Sequence, residues 1–388
     1  MEQKIYDEYV EILKEELLPA MGCTEPIAVA YAAAVAVQAL GEKPESVEVN
    51  VSANIIKNVK SVVVPCTGGL RGIGAAVCAG IVAGCPEKEL EILEEITGEQ
   101  KVEMKKMLDT MPMTIRESDK EYIFDIQIKA CAGGHSGYVE IAGFHTNVIC
   151  VKKDDEIIRE KAYEEQGSSC ATDRSLLTVE KIIEFADCVD VADVEEVLQR
   201  QIDYNWAIAE EGMTGNWGAA IGKTLMEAYG NSVHNRAKAM AAAGSDARMN
   251  GCELPVVINS GSGNQGMTTS LPVIVYAKEL NVSKEMMLRA LVVSNLITIH
   301  MKTGIGRLSA YCGAISAGCG AGAGICYLYG GRAYEISHVI VNAVAINSGV
   351  VCDGAKASCA AKIASAVEAG LLGLQMQKNG KQDRKSVV

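Results

Sequence analysis

Hydrophobic and polar positions follow two different patterns along this chain. Between about residues 43 and 174, short segments alternate apolar and polar residues, as strands with one buried face do. Before and after this region, apolar residues recur at helical spacing or fill long uncharged runs, which predicts helices. We therefore predict an α+β fold. A mostly helical domain is formed by residues 1–42 and 175–388, and a smaller α+β domain of residues 43–174 is inserted in it.

The segments that predict strands are rich in Val and Ile. They are "SVEVNVSANI", "KSVVVP", "EYIFDIQIKA", "GYVEIAG" and "NVICVKK", followed by "LPVVIN" in the helical part. One segment of the inserted region, "ELEILEEITGEQKVEMKKML", has the spacing of an amphipathic surface helix instead.

The longest uncharged run, residues 308–331, is long enough to cross a membrane. It consists mainly of Gly, Ala, Ser and Cys, so we predict a core helix that its neighbours pack closely. The whole chain is 49% hydrophobic but only 5% aromatic, which favours closely approaching helices over a β-sandwich. Such Gly- and Ala-rich helices are compatible with a homodimer.

The net charge of the chain limits which classes of molecule we expect it to bind. The net charge of −13 argues against a nucleic-acid backbone or an acidic membrane surface as a partner. The first 18 residues are charged throughout, unlike a secretion signal, so we expect a cytoplasmic protein. In a reducing cytoplasm the 14 cysteines are not expected to form disulfides, and core packing explains any single one of them.

Three cysteines recur every seven residues on one predicted helix: Cys312, Cys319 and Cys326. At a rise of about 1.5 Å per residue, successive thiols lie roughly 10 Å apart on one helix face. A small metal cluster cannot readily bind all three, so we expect at most one of them to be a ligand.

Cys352 and Cys359 differ, because the turn Asp353-Gly354 lies between them and lets the chain fold back. Cys359 lies near the start of a helix predicted over residues 355–372, whose positive end favours a thiolate. Asp353 is a candidate cap of that helix. The usual zinc and ferredoxin cysteine spacings are missing, so spacing alone does not identify a metal.

Motifs in order along nearly the whole chain carry a resemblance to a known family. They are "GCTEPIAVAYAAA", "CTGGLRGIG", "GFHTNVI", "SDARMNG", "NSGSGNQG", "IHMKTGIGRLSAYCG", "GAGICYLYGG" and "CDGAKASCAAK". With these motifs the chain resembles the L-cysteine desulfidase family, which is related to the iron–sulfur L-serine dehydratase α-chain. The resemblance implies that Cys312, Cys352 and Cys359 ligate a [4Fe–4S] cluster in the helical domain and leave one iron without a permanent protein ligand.

Cys23 of "GCTEP" has three interpretations. The similar serine dehydratases place a C-terminal cysteine on the fourth iron, whereas this sequence has no cysteine after Cys359. Cys23 is therefore a candidate fourth ligand, or a base whose pKa a helix start would lower, or a packed core residue. Thr24 beside it is a candidate helix cap and substrate-binding residue.

The loop "NSGSGNQG" (259–266) suits the binding of a carboxylate. Its glycines free the backbone amides to face an anion, and a helix is expected to follow. The side chains that add donors are Ser260, Ser262, Asn264 and Gln265. The alternative is an ordinary loop.

Lys302 and Arg307 flank "TGIG" ahead of Cys312. In a buried helix, cations need a partner, which here is the negative charge of the cluster or the substrate carboxylate. The alternative is an exposed helix end.

Together, these parts lead us to expect a carbon–sulfur lyase that converts L-cysteine and water to sulfide, ammonia and pyruvate. The same cluster chemistry on L-serine is the nearest alternative. A pyridoxal-phosphate lyase needs a lysine for a Schiff base, and no lysine stands out. A non-catalytic metal-binding or redox-sensing protein is the remaining interpretation.

Overall fold

The structure, a computed structural model, describes residues 1–163, 172–306 and 309–381. Its helices are α1 (Gln3–Glu16), α2 (Thr24–Leu40), α3 (Ala53–Val59), α4 (Gly72–Ala83), α5 (Gly98–Thr110), α6 (Val179–Cys188), α7 (Ala192–Thr214), α8 (Ile221–Tyr229), α9 (Val233–Met249), α10 (Gly263–Glu279), α11 (Lys284–Ile305), α12 (Gly313–Leu328), α13 (Ala333–Ile346) and α14 (Cys359–Lys378). Short 3₁₀ helices cover Pro86–Glu91 and Arg174–Leu176. The strands are β1 (Pro19–Met21), β2 (Ser46–Val51), β3 (Met113–Glu117), β4 (Asp125–Ala132), β5 (His135–Ala142), β6 (Val148–Lys153), β7 (Glu156–Glu160) and β8 (Pro255–Val257). The predicted α+β class is confirmed.

Six strands form one mixed sheet in the order β3-β2-β4-β5-β6-β7. The β2–β3 pair is parallel and the other pairs are antiparallel. β1 and β8 pair separately, which ties the start of the chain to the helical part. The last four predicted strand segments each contain a strand, namely β4, β5, β6 and β8.

Two strand predictions were wrong in whole or in part. "SVEVNVSANI" is a strand only to Val51 and then becomes helix α3, which begins after Ser52. "KSVVVP" forms no strand: its valines are buried, but its backbone makes only an isolated bridge from Val63 to Arg71. Burial explains the Val-rich pattern without a neighbouring strand.

The predicted amphipathic helix is interrupted. Its first three residues end a 3₁₀ helix at Glu91, a turn follows, and α5 begins only after Thr97. Thr97 and Gln100 make a reciprocal capping box, which satisfies the backbone donors at a new helix start.

The buried side chains form two main hydrophobic cores. One consists of the sheet with α2, α3 and α4, and the other joins α1 to the helices after residue 175. Helix α2 is almost uncharged and is buried on nearly all sides, as expected for a helix between a sheet and other helices. It thus packs on the sheet, although the predicted division assigned residues 1–42 to the helical part. That division stays a prediction.

Helices α12 and α14 approach each other without intervening side chains. A Cβ at Gly318 would lie 2.3 Å from the carbonyl oxygen of Ala366, and one at Gly370 would lie 2.3 Å from that of Gly318. Gly322 meets Gly370 in the same way. The next contact therefore lies four residues further along each helix, so the two helices run in the same direction. The prediction of a closely packed core helix is confirmed for Gly313–Leu328. Throughout the described ranges, every helix is too short or too polar to traverse a bilayer.

Candidate active site

A cavity with an empty volume of about 1050 Å³, part of it open to solvent, lies where four helices begin. The first turns of α2, α10, α12 and α14 all contribute to its wall. The loop before β6 closes another side with Phe144 and His145. Helix N-termini carry partial positive charge and unpaired N–H groups, so four of them around one space favour an anionic ligand.

Every predicted site residue that the structure describes lines this cavity. They are Cys23, Thr24, Ser260, Ser262, Asn264, Gln265, Lys302, Cys312, Cys352 and Cys359. Arg307 lies outside the described residues. The roles assigned to these residues stay predictions.

The backbone fixes Cys312 beside Cys352. Cys312 N–H donates to the Val350 carbonyl over 3.0 Å, and Cys352 N–H donates to the Ala310 carbonyl over 2.8 Å. Cys312 immediately precedes α12. Cys359 is the first residue of α14, later than the predicted helix start at 355 because a turn with Gly354 at φ +100° comes first.

The three thiols lie within electrostatic reach of one another. Burial raises the pKa of Cys312, and the neighbouring Cys352 raises it further. Burial likewise raises the pKa of Cys359, with added contributions from Cys312 and Cys352. A negative charge on any of the three therefore disfavours charge on the others unless a cation or a metal group is present.

Three thiols line this cavity and influence one another electrostatically. In the described part of the chain, no three His, Cys, Asp or Glu side chains lie close enough together to hold one metal ion. A four-iron cluster distributes its thiolates over separate iron atoms, so its ligands lie farther apart than those of one ion. The three cysteines are therefore candidate ligands of a cluster rather than of a single ion.

The other two cysteines of the seven-residue series are buried side chains of α12. Cys319 and Cys326 are 1% and 2% exposed. Burial raises the pKa of each thiol to about 12, so both are neutral packing residues. This outcome agrees with the expectation that at most one member of the series is a ligand.

Positive side chains surround the cysteines. Lys302 is 4% exposed, and burial lowers its pKa to about 8 although Cys312 and Cys352 act in the opposite direction. Lys57, Arg248 and Lys362 also line the cavity, whereas Glu25 is the one acidic residue of the described lining. The cavity is therefore cationic in a chain whose net charge is −13.

Asp353 does not cap α14. Its carboxylate accepts from Lys356 at 2.5 Å and from Lys362, and these two ion pairs hold the pKa of Asp353 well below its usual range. Ser358 occupies the N-cap position and makes no side-chain cap. Asp353 instead fixes the turn between Cys352 and Cys359.

Cys23 lies at the start of α2 with its thiol aimed at Glu25. Its Sγ donates to Glu25 Oε2 over 3.1 Å, while Asn58 Nδ2 donates to Oε1 over 3.0 Å. Burial, followed by the Glu25 carboxylate, raises the pKa of Cys23 well above its ordinary value, opposite to the lowered pKa that a helix start predicts. Burial also opposes ionisation of Glu25, but His145 and the Cys23 hydrogen bond hold the pKa of Glu25 below its usual value.

The loop before α10 bends sharply through residues of positive φ. Ser260 and Gly261 have φ of +51° and +77°, and Ser262 precedes the helix. The Ser260 hydroxyl already donates to Asn259 Oδ1 over 2.9 Å. Asn264 Oδ1 accepts from Arg248 Nη1 over 3.2 Å. The first backbone N–H groups of α10, which have no intrahelical partner, add to the side-chain donors of this loop.

Sequence reasoning missed several lining residues, among them Glu25, His145 and Arg248. All three stand inside the motifs "GCTEP", "GFHTNVI" and "SDARMNG". The available signal was a charged or titratable residue among small, buried neighbours, which needs a partner in the fold.

The sequence is similar to known proteins over most of its length. A family model described as serine dehydratase alpha chain matches residues 87–388. A UPF0597 protein of Desulfitobacterium hafniense is 58% identical over 383 residues, which cover 99% of this chain and 89% of that protein. UPF0597 proteins of Lachnoclostridium phytofermentans and Treponema denticola are 50% and 43% identical, with 97% and 98% of this chain and 90% of each protein covered.

Proposed function

Since this chain belongs to the serine dehydratase alpha chain family and to the UPF0597 proteins, we propose that it is a lyase acting by β-elimination on a small L-amino acid. The proposed substrate is L-cysteine, with sulfide, ammonia and pyruvate as products, because the motifs resemble the L-cysteine desulfidases. L-Serine is the second candidate, because the matching family model carries the serine dehydratase name. The observation that carries the proposal is the single cavity that holds three cysteines, four helix N-termini and a cationic lining.

In this proposal Cys312, Cys352 and Cys359 hold a [4Fe–4S] cluster. When bound, the cluster supplies an iron Lewis acid for the leaving group. Lys302 and Lys362 offset the negative charge of the thiolates, and the starts of α12 and α14 do the same through their N–H groups.

The substrate carboxylate binds at the first turn of α10. The residues of that turn line the cavity together with Ser262, and the first N–H groups of a helix have no intrahelical partner. Fixing the carboxylate there orients Cα relative to Cys23, which lines the same cavity. Phe124 and Phe144 add apolar surface to the lining.

Removal of the Cα proton needs a base, and the Cys23 thiolate is the proposed one. The thiol loses its proton to solvent through the open part of the cavity, Arg248 favours the resulting charge, and Sγ then accepts the proton from Cα. The 3.1 Å contact with Glu25 Oε2 fixes the position of Sγ. In the alternative role, Cys23 is the fourth ligand of the cluster. Serine at this position separates the two roles, because only the ligand role predicts a loss of iron.

The test uses protein purified without oxygen. Iron and acid-labile sulfide are measured together with the absorption spectrum, and pyruvate release is compared for L-cysteine and L-serine. The proposal expects a cluster and pyruvate from at least one substrate, and the faster substrate identifies the leaving group. An aldimine absorption band without iron would indicate a pyridoxal-phosphate enzyme. Bound zinc with no turnover of either amino acid would indicate a non-catalytic protein.

A further inference from the structure

We propose that Arg248 and Gln265 form a recognition pair for the two charged ends of a free amino acid. Arg248 binds the α-carboxylate, and Gln265 Oε1 accepts a hydrogen bond from the α-ammonium group. The inference rests on the proposed function, which it deepens by naming the substrate class as a zwitterion. Neither a carboxylic acid without an amine nor an amine without a carboxylate satisfies both groups.

Arg248 is a buried cation with unused hydrogen-bonding capacity. It is 4% exposed, lines the cavity, and donates from Nη1 to Asn264 Oδ1 over 3.2 Å. Its Nε has no hydrogen-bond partner among the described residues. A buried guanidinium group needs a partner to offset the cost of its desolvation, and a carboxylate matches the geometry of its donors.

The guanidinium group packs directly against the start of α10. A Cβ at Gly263, the first residue of α10, would lie 2.5 Å from Arg248 Nε. Any larger residue there would displace the guanidinium group. Glycine at this position therefore lets Arg248 lie at the same helix start that offers backbone N–H groups to an anion.

Gln265 is a buried residue with an unused hydrogen-bond acceptor, whereas Arg248 has an unused donor. Its side chain is 6% exposed and lines the cavity, and its Oε1 has no hydrogen-bond partner within the described ranges. A Cβ at Gly313, the first residue of α12, would lie 2.6 Å from the amide carbon of Gln265. A buried acceptor of this kind favours a ligand that donates hydrogen bonds, as an ammonium group does.

Glu25 is a weaker candidate for the ammonium group, because its acceptors are already used. Oε2 accepts from Cys23 and Thr24, and Oε1 accepts from Asn58. Gln265 instead belongs to the first turn of α10, one residue after Asn264, which contacts Arg248. The proposed donor and acceptor thus both lie at the first turn of α10.

Binding is tested with L-alanine, which has both charged ends but no β-leaving group. Isothermal titration calorimetry on the protein purified without oxygen compares L-alanine with L-alaninamide, which lacks the carboxylate, and with propionate, which lacks the amine. Wild-type protein is expected to bind L-alanine at least about tenfold more tightly than either analogue, since each analogue leaves one buried group unpaired. Equal binding of all three, or no binding of L-alanine, would overturn the inference.

Two variants assign the contacts. Arg248→Met is expected to lose the preference for L-alanine over L-alaninamide, and Gln265→Leu the preference over propionate. Arg236→Met changes an arginine of the same helix whose side chain pairs with Glu279, and it should leave both preferences intact. Folded variants with unchanged preferences would refute the pair. If Arg248→Met does not fold, as judged by circular dichroism, Arg248→Lys and the wild-type analogue series decide the question.

Pyruvate release separates this inference from the proposed function. If wild-type protein forms pyruvate but both variants keep the wild-type preferences, the recognition pair is wrong and the lyase stands. If wild-type protein shows the expected preferences but forms no pyruvate from L-cysteine or L-serine, the lyase is wrong and the recognition pair stands.

Discussion

The Cys23 thiol donates a hydrogen bond to the Glu25 carboxylate, with 3.1 Å between Sγ and Oε2. Asn58 donates to the other oxygen of Glu25, so the carboxylate is held in place from both sides. Burial and this carboxylate both raise the pKa of Cys23, so the thiol stays protonated unless a nearby positive charge favours the thiolate. Arg248 supplies such a charge, which connects this site to the base role proposed for Cys23.

Replacing Cys23 by serine tests that role. A hydroxyl is a far weaker acid than a thiol, so serine does not supply the anion that accepts the Cα proton, and turnover should fall by roughly 10²- to 10⁴-fold with iron content unchanged. Pyruvate release and iron analysis on the same sample measure both quantities. Cys85→Ser, at an exposed position away from the cavity, is the matched control. Wild-type turnover in Cys23→Ser would exclude both the base and the ligand role.

Alanine at any of the three proposed ligands should remove the cluster. Cys312→Ala, Cys352→Ala and Cys359→Ala are each expected to lose most of their iron and acid-labile sulfide. Cys319→Ala deletes a buried thiol in the same helix that follows Cys312, but far from the cavity lining, and should keep the wild-type iron content. A full iron complement in any of the first three variants would contradict the proposed ligand set.

The contact between α12 and α14 predicts a stability defect that extends to the site. In Gly318→Ala the new Cβ would meet the Ala366 carbonyl oxygen, so we expect a loss of about 1–3 kcal/mol in the free energy of unfolding. Because both helices begin at proposed cluster ligands, iron content should fall as well. Chemical denaturation and iron analysis measure the two effects.

Gly98→Ala provides the comparison, since it is the first residue of α5 and a Cβ there meets nothing within 4 Å. Its effect on unfolding should stay within about 0.5 kcal/mol. Equal behaviour of the two glycine variants would show that the contact between the helices is not tight.

Because the Asp246 carboxyl is buried, we predict that the free energy of unfolding depends on pH. It is fully buried in α9, accepts from Gly222 N–H over 3.1 Å, and burial raises its pKa to about 6 from 3.8. Because the folded-state pKa is the higher one, its contribution to stability is fully present below pH 3.8 and is lost as the pH rises through 6. Relative to Asp246→Asn, wild-type protein should therefore lose roughly 1–3 kcal/mol between pH 4 and pH 7.5.

Urea denaturation at several pH values measures this difference. Asp109→Asn, at an exposed position in α5, gives the effect of the same change on the surface. A constant difference between wild-type protein and Asp246→Asn across the pH range would contradict the assignment.

Residues that carry chemistry in recognisable motifs could be predicted from the sequence. The cysteines, Lys302 and the loop before α10 lie in segments whose composition limits their environment, and the structure places them around one cavity. The strands β4, β5 and β6 were equally clear, because their short segments are rich in Val and Ile, which favour strands.

The roles of Arg248 and Glu25 could not be predicted, because they depend on the direction in which each side chain points from its helix. Helix α9 is buried at every position from Ala241 to Met249, so periodicity does not show which face meets the cavity. Helix α2 presents the same difficulty. In helices that are buried on all sides, only the packing of neighbours decides where a polar side chain points.

The order in which the chain is synthesised bears on how the cavity is completed. Of its four helix starts, one comes from residue 24 and the others from residues 263, 313 and 359. The wall that contains Cys359 is thus added after nearly all other elements have been translated. Iron delivery to a nascent polypeptide that still lacks Cys359 would meet an incomplete ligand set, so maturation of the proposed centre has to follow the synthesis of that residue.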